Sequence, residues 1–177
     1  MTRHRISLEE FHRMVEAGVF PEDLRLELVE GELLEMSPIG PKHAFVVRKL
    51  TTLLAPLALE NKALLSGQNP LVVGQSELYP DVVLLRPHSD GPDRHPQGQE
   101  ALLVVEVTDT SLRHDLSVKV PLYAQGGVPE VWVVDREGRR VLVHREPREG
   151  GYKEVRTLGP RDTLAFMGVE IPVEELL

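Results

Sequence analysis

Cysteine is absent from this 177-residue chain, which excludes disulfides, thiolate nucleophiles and cysteine-ligated zinc. No apolar stretch approaches the roughly 18–20 residues needed to cross a bilayer. The opening Met1-Thr2-Arg3-His4-Arg5 leads into an amphipathic segment and not an apolar signal core. The expectation is a cytoplasmic protein with no membrane partner. There is no Gly-rich phosphate loop, so a hydrolase of small phosphate esters finds no support. Internal repeats and domain linkers are also missing, which suits a single domain over residues 1–177. Positive charge is in short supply: 20 Lys and Arg face 28 Asp and Glu, for a net charge of −8. That balance weighs against binding polyanions through the surface as a whole. Any such binding would have to be local, and two basic regions are available. One is Lys42, Arg48 and Lys49; the other is Arg136, Arg139, Arg140, Arg145 and Arg148.

What is present reads as an alternation of helices and strands. Ser7-Leu8-Glu9-Glu10 is a capping box, followed by the apolar helix face Leu8, Phe11, Met14 and Val15. Residues 27–36 predict a hairpin turning at Glu30-Gly31. Pro41 suits the first turn of a second helix that ends or kinks near Pro56. Leu71-Val72-Val73, Val82-Val83-Leu84-Leu85 and Leu102-Leu103-Val104-Val105 are short unbroken apolar runs, as expected of strands covered on both faces. An exposed loop, residues 86–99, separates the last two. A third helix should follow Thr110-Ser111, then a strand over residues 131–134. The order predicts a mixed sheet flanked by helices with its core at about residues 41–135. Residues 1–40 and 136–177 would decorate it.

Two acids stand beside these apolar runs. Asp81 opens the run 82–85 and Glu106 closes the run 102–105. Carboxylates brought together from separate strands are the oxygen donors that a hard divalent cation requires. The backbone carbonyl of Val107 is a plausible third ligand, and the strand period of two places Thr108 on the face of Glu106. Lys119 lies four residues after Asp115 and four before Tyr123, a spacing that lets all three share a helix face. On that helix an exposed Asp115–Lys119 pair would contribute only about 0.3–0.5 kcal/mol. Pro121 deletes one backbone bond and kinks the helix, which leaves two directions open for Tyr123, onto that shared face or elsewhere.

Pro80-Asp81, Val105-Glu106-Val107 and Asp115-x-x-x-Lys119-x-x-x-Tyr123 together resemble the PD-(D/E)XK nuclease superfamily. Gly127-Val128-Pro129-Glu130-Val131-Trp132-Val133-Val134-Asp135, with residues 27–33 and His43, is similar to a bacterial restriction-endonuclease family within it. The resemblance spans roughly residues 25–136. It implies a restriction-endonuclease-like α/β fold: a mixed sheet core flanked by helices, with an N-terminal helix and hairpin. It also implies a metal-dependent nuclease cutting nucleic-acid phosphodiesters, DNA first among them, with Mg²⁺ or Mn²⁺. Asp81, Glu106 and Val107 would hold the metal, and Asp81, Glu106 and Lys119 would be catalytic. Glu27, His43, Asp115 and Tyr123 would line the rim. The superfamily lysine usually stands two residues after the glutamate, where this chain has Thr108, so Lys119 would serve from the following helix. The alternative is a non-catalytic binding or regulatory module on the same fold, favoured by the acidic balance and the displaced lysine. A homodimer is expected from exposed edges near Glu30-Gly31 and Val141–Val143.

Overall fold

The computed structural model describes residues 1–177. Helix α1 (Leu8–Glu16) starts at the expected capping box, with Ser7 and Glu10 exchanging bonds to each other's amides. Strands β1 (Leu26–Val29) and β2 (Glu32–Glu35) form the hairpin, its turn made by Glu30 and Gly31 at φ of 49° and 87°. Helix α2 (Pro41–Leu59) does not end at Pro56 but continues past it. The bond lost there belongs to the carbonyl of Thr52, an exposed residue, so water can replace it. Then come β3 (Leu64–Gly67), β4 (Leu71–Val73), β5 (Ser76–Leu78), β6 (Val82–Leu85) and β7 (Ala101–Thr108). A short helix α3 (Leu112–His114) passes through a π-helical turn, Asp115–Lys119, into α4 (Val120–Gln125). Strands β8 (Glu130–Asp135), β9 (Arg140–Arg148) and β10 (Gly151–Leu158) follow, then a hairpin of β11 (Thr163–Phe166) and β12 (Val169–Pro172). No helix is long and apolar enough to cross a membrane.

The main sheet has six strands in the order β10-β9-β8-β7-β6-β3. Only β7 and β8 are parallel; every other neighbouring pair is antiparallel, which makes the sheet mixed. A second sheet, β2-β1-β5-β4, forms a separate hydrogen-bonded ladder. Two expectations change here. Leu71–Val73 belongs to the small sheet and not the main one: Leu71 and Val73 are buried while Val72 is half-buried, the alternation of a strand with one apolar face. Residues 140–158 do not decorate the core but extend it, and the main sheet therefore reaches well beyond residue 135. Val141 and Val143 face one side of the sheet and Leu142 the other, so β9 is an interior strand covered on both faces.

Two apolar layers follow from this. On one face, Val46, Leu50, Leu54 and Leu57 of α2 pack with Val105, Trp132 and the β11–β12 residues Leu164 and Ile171. On the other face, Val83, Val104 and Val133 meet Val120 and Tyr123 of α4, together with Val29, Leu71 and Leu78 of the small sheet. The small sheet and α4 are thus pressed onto the same face of β6, β7 and β8.

Candidate active site

Asp81 and Glu106 are brought together by strand register. Val82 pairs with Val105 in the antiparallel β6–β7 ladder, so one step beyond the start of β6 sets Asp81 opposite Glu106. Residues opposed in this way point to the same face with Cβ atoms about 4.5–5.5 Å apart. That face is the one carrying Val83 and Val104, towards α4 and the small sheet. Glu106 does not end its strand. β7 continues to Thr108, paired with β8 through Glu106–Val133 and Thr108–Asp135. The β7 edge is released only on the β6 side, because β6 begins at Val82, and the acids sit where that pairing stops.

Each acid is held by a different set of donors. Asp81 accepts the Val107 N–H through Oδ2 at 2.7 Å, and its Oδ1 lies 2.8 Å from His43 Nε2, carried by the first turn of α2. Glu106 Oε1 accepts the Tyr123 hydroxyl at 2.5 Å. Tyr123 therefore aims at the acid from beneath, and Pro121 does not turn it away. The π turn explains why. The N–H of Val120 donates to the Asp115 carbonyl five residues back, and Pro121, which has no N–H to give, follows where the helix narrows again.

Lys119 is not the exposed partner of a surface pair. It is 7% exposed, and its Nζ lies 3.2 Å from Glu27 Oε2, 3.6 Å from Glu106 Oε1 and 3.7 Å from Asp115 Oδ1. Glu27, on β1, also accepts the Tyr79 N–H at 2.9 Å. Asp115 accepts the Ser111 hydroxyl at 2.9 Å, and Ser111 in turn lies 3.0 Å from the Thr108 hydroxyl. Asp81, Glu106, Lys119, Glu27, His43 and Asp115 all line one cleft of about 500 Å³. Val107 lines it too, whereas Tyr123 lies wholly beneath it.

The electrostatics are lopsided. Four buried carboxylates (Glu27, Asp81, Glu106 and Asp115) face one ammonium and one half-buried imidazole. Burial pushes the Glu106 carboxyl well above its ordinary value; Lys119 opposes that shift, and Asp81, Asp115 and Glu27 add to it. Burial also raises Asp115, against the pull of Lys119 and the Ser111 hydroxyl. Burial works against charge on Lys119, but Glu106, Glu27 and Asp115 outweigh it and hold the ammonium protonated above its ordinary value. His43 is raised by its bond to Asp81. Tyr123 is pushed far up by burial and then by Glu106, so it stays a neutral donor. We therefore read Lys119 as the fixed cation of the cluster and Glu106 as the acid whose charge is least well met.

That unmet demand for positive charge is the test of fit for a divalent metal, and the donor set passes it. No three His, Asp and Glu side chains converge as a ready-made metal cage. Magnesium does not need one, since it is usually bound by one or two carboxylates plus waters and substrate phosphates. Of the basic stretch available for local polyanion binding, three of the five arginines are paired within the fold. Arg136 binds Asp109 at 2.8 Å, Arg140 binds Asp135 at 2.8 Å and Arg145 binds Glu130 at 2.7 Å.

Sequence reasoning missed Ser111, Tyr79 and Asp109, all of which line this cleft. Ser111 stands four residues before Asp115, a spacing that could have revealed it. The backbone amide of Tyr79 carries no sequence signal at all.

A family model described as "Uma2: Putative restriction endonuclease" matches residues 8–174. The fold is also similar to a crystal structure described as "a putative nuclease belonging to DUF820", from Anabaena variabilis ATCC 29413, with a TM-score of 0.76. The match covers 97% of each chain at 14% sequence identity, a level that speaks for the fold alone. No curated protein matches the chain.

Proposed function

The chain belongs to the Uma2 family, within the PD-(D/E)XK nucleases, and from that premise we propose that its cleft hydrolyses nucleic-acid phosphodiesters with Mg²⁺ or Mn²⁺. The observation that carries this reading is the opposition of Asp81 and Glu106 on one face, with the Lys119 ammonium in the same cleft. Asp81, Glu106 and the carbonyl of Val107 would hold the cation. A divalent cation so held supplies a bound water of lowered pKa and neutralises charge on the phosphate.

The protein's own groups account for the rest. Lys119 cannot serve as a general base, because its carboxylate neighbours keep it protonated. It acts as a fixed positive charge towards the non-bridging phosphate oxygens and orients the attacking water. Glu27 and Asp115 fix that ammonium from two sides, which replaces the geometry a lysine two residues after the glutamate would have on β7. Tyr123 and the Val107 amide hold the two acids in place without adding charge. His43 raises the positive charge at the rim when protonated, where an incoming phosphate would pass. DNA is the substrate to which the family's description points.

The reading is checked by incubating the protein with supercoiled, linear and single-stranded DNA, and with RNA, in Mg²⁺, in Mn²⁺ and in excess chelator. Cleavage is expected only with metal. Asp81→Asn should lower it at least about a hundredfold, since several kcal/mol of charge stabilisation depend on the cation. Equal cleavage by Asp81→Asn would move the chemistry out of this cleft.

A further inference from the structure

Four strand edges end the two larger sheets, and three of them are short or acidic. β3 and β2 have four residues each and β4 has three. A two-fold pairing of β2 with itself would set Glu32 against Glu35 of the other copy, so that edge repels its own image. The Val141–Val143 segment expected to be an edge is interior, flanked by β8 and β10. β10 is different. It has eight residues, ends the main sheet, and none of its backbone groups bonds to any loop or turn on its outer side. An open edge of that length is a template for another strand.

The sequence of this edge fits one occupant, a second copy of the chain. Lys153-Glu154-Val155-Arg156-Thr157 is charge-complementary to its own reverse about Val155. An antiparallel two-fold register centred there sets Glu154 opposite Arg156 of the other copy, twice, and Val155 against its counterpart. Moving the centre by one residue in either direction opposes Glu154 to itself or Arg156 to itself. The side chains are available for it. Val155 is 55% exposed, the only large apolar side chain on the strand so placed. Arg156 forms no ion pair within the chain, and the guanidinium facing Glu154 across the hairpin, that of Arg145, is bound to Glu130 at 2.7 Å.

We propose that β10 is a self-association edge, through which two copies pair antiparallel about Val155 and join their six-stranded sheets into one. A contact of one strand edge is at the small end of specific interfaces, so the dimer is reversible, with dissociation on the order of 10–100 μM. The interface leaves the cleft at β6 and β7 untouched, so it stands apart from the proposed chemistry.

Sedimentation velocity across that concentration range tests it by charge reversal. Glu154→Arg and Arg156→Glu each place like charges opposite one another twice, and each should weaken dimerisation roughly tenfold or more. The double variant E154R/R156E restores opposite charges in the same register and should return association to the native level. Arg156 is exposed and Glu154 half-buried, and the double variant controls for any change in the monomer. A native protein that stays monomeric throughout, single variants that dimerise as well as the native chain, or a double variant that fails to recover would each overturn the proposal.

Discussion

Replacing Lys119 with methionine is expected to destabilise the protein by about 3–5 kcal/mol at neutral pH, the range for breaking a buried ion pair on one side. The methionine keeps the volume but leaves Glu27, Glu106 and Asp115 buried with no cation among them. The sign of the pH dependence follows from the shifts. Lys119 is raised above its ordinary value of 10.5, so its contribution is complete at any pH below that and is lost only as pH climbs through the folded value. Of the acids stranded by the substitution, burial makes Glu106 and Asp115 hold protons more tightly in the folded chain than in the unfolded one. Stability of the variant therefore falls as pH rises through the ordinary carboxylate range, and the deficit narrows towards acid. Urea melts from pH 4 to 8 measure this. A variant as stable as the native chain at pH 8 would mean that Lys119 is no keystone of the cluster.

Glu106→Gln is expected to give opposite signs for stability and activity. Glu106 is raised, chiefly by burial, so the native chain loses stability as pH rises from the ordinary value of 4.5 towards the folded one. A glutamine does not ionise and escapes that loss, while its amide oxygen still accepts the Tyr123 hydroxyl. Lys119 retains Glu27 and Asp115. In chelator at pH 8 the variant should be more stable than the native protein, with the difference vanishing near pH 4. Cleavage should disappear, because the neutral amide is a poor ligand for a hard divalent cation. This is the behaviour of a site that holds stability in reserve for function. If Glu106→Gln destabilises the metal-free protein as Lys119→Met does, then Glu106 is a structural ion-pair partner and the unmet charge described above is absent.

The pair at the centre of the cleft was legible because it depends on local rules. An acid flanking each of two apolar runs, with strand alternation and antiparallel neighbours, leaves few ways for Asp81 and Glu106 to miss each other. Lys119 was legible as a spacing but not as an environment. Its burial is set by Glu27, delivered from the first hairpin, and no periodicity reports that the small sheet folds onto the face of β7. The same long-range docking hid the role of the Tyr79 amide and made Leu71–Val73 read like a strand of the main sheet. Pro121 left the direction of Tyr123 open, since a proline can end a turn of one pitch and begin another without redirecting the side chains that follow. Residues 140–158 were readable as strands in part, at Val141–Val143. Their place inside the main sheet depends on pairing with β8, which local sequence does not specify.

The most direct test is a calorimetric titration of Mn²⁺ into the native protein, Asp81→Asn and Glu106→Gln at pH 7.5, repeated in buffers of different ionisation enthalpy. The native chain should bind the cation with release of protons, because burial favours the protonated form of Glu106 and the cation the ionised one. Both variants should bind at least about tenfold more weakly, with proton release lost in Glu106→Gln. Undiminished binding in both variants would show that Asp81 and Glu106 do not hold a metal, and the proposed chemistry of the cleft would go with them.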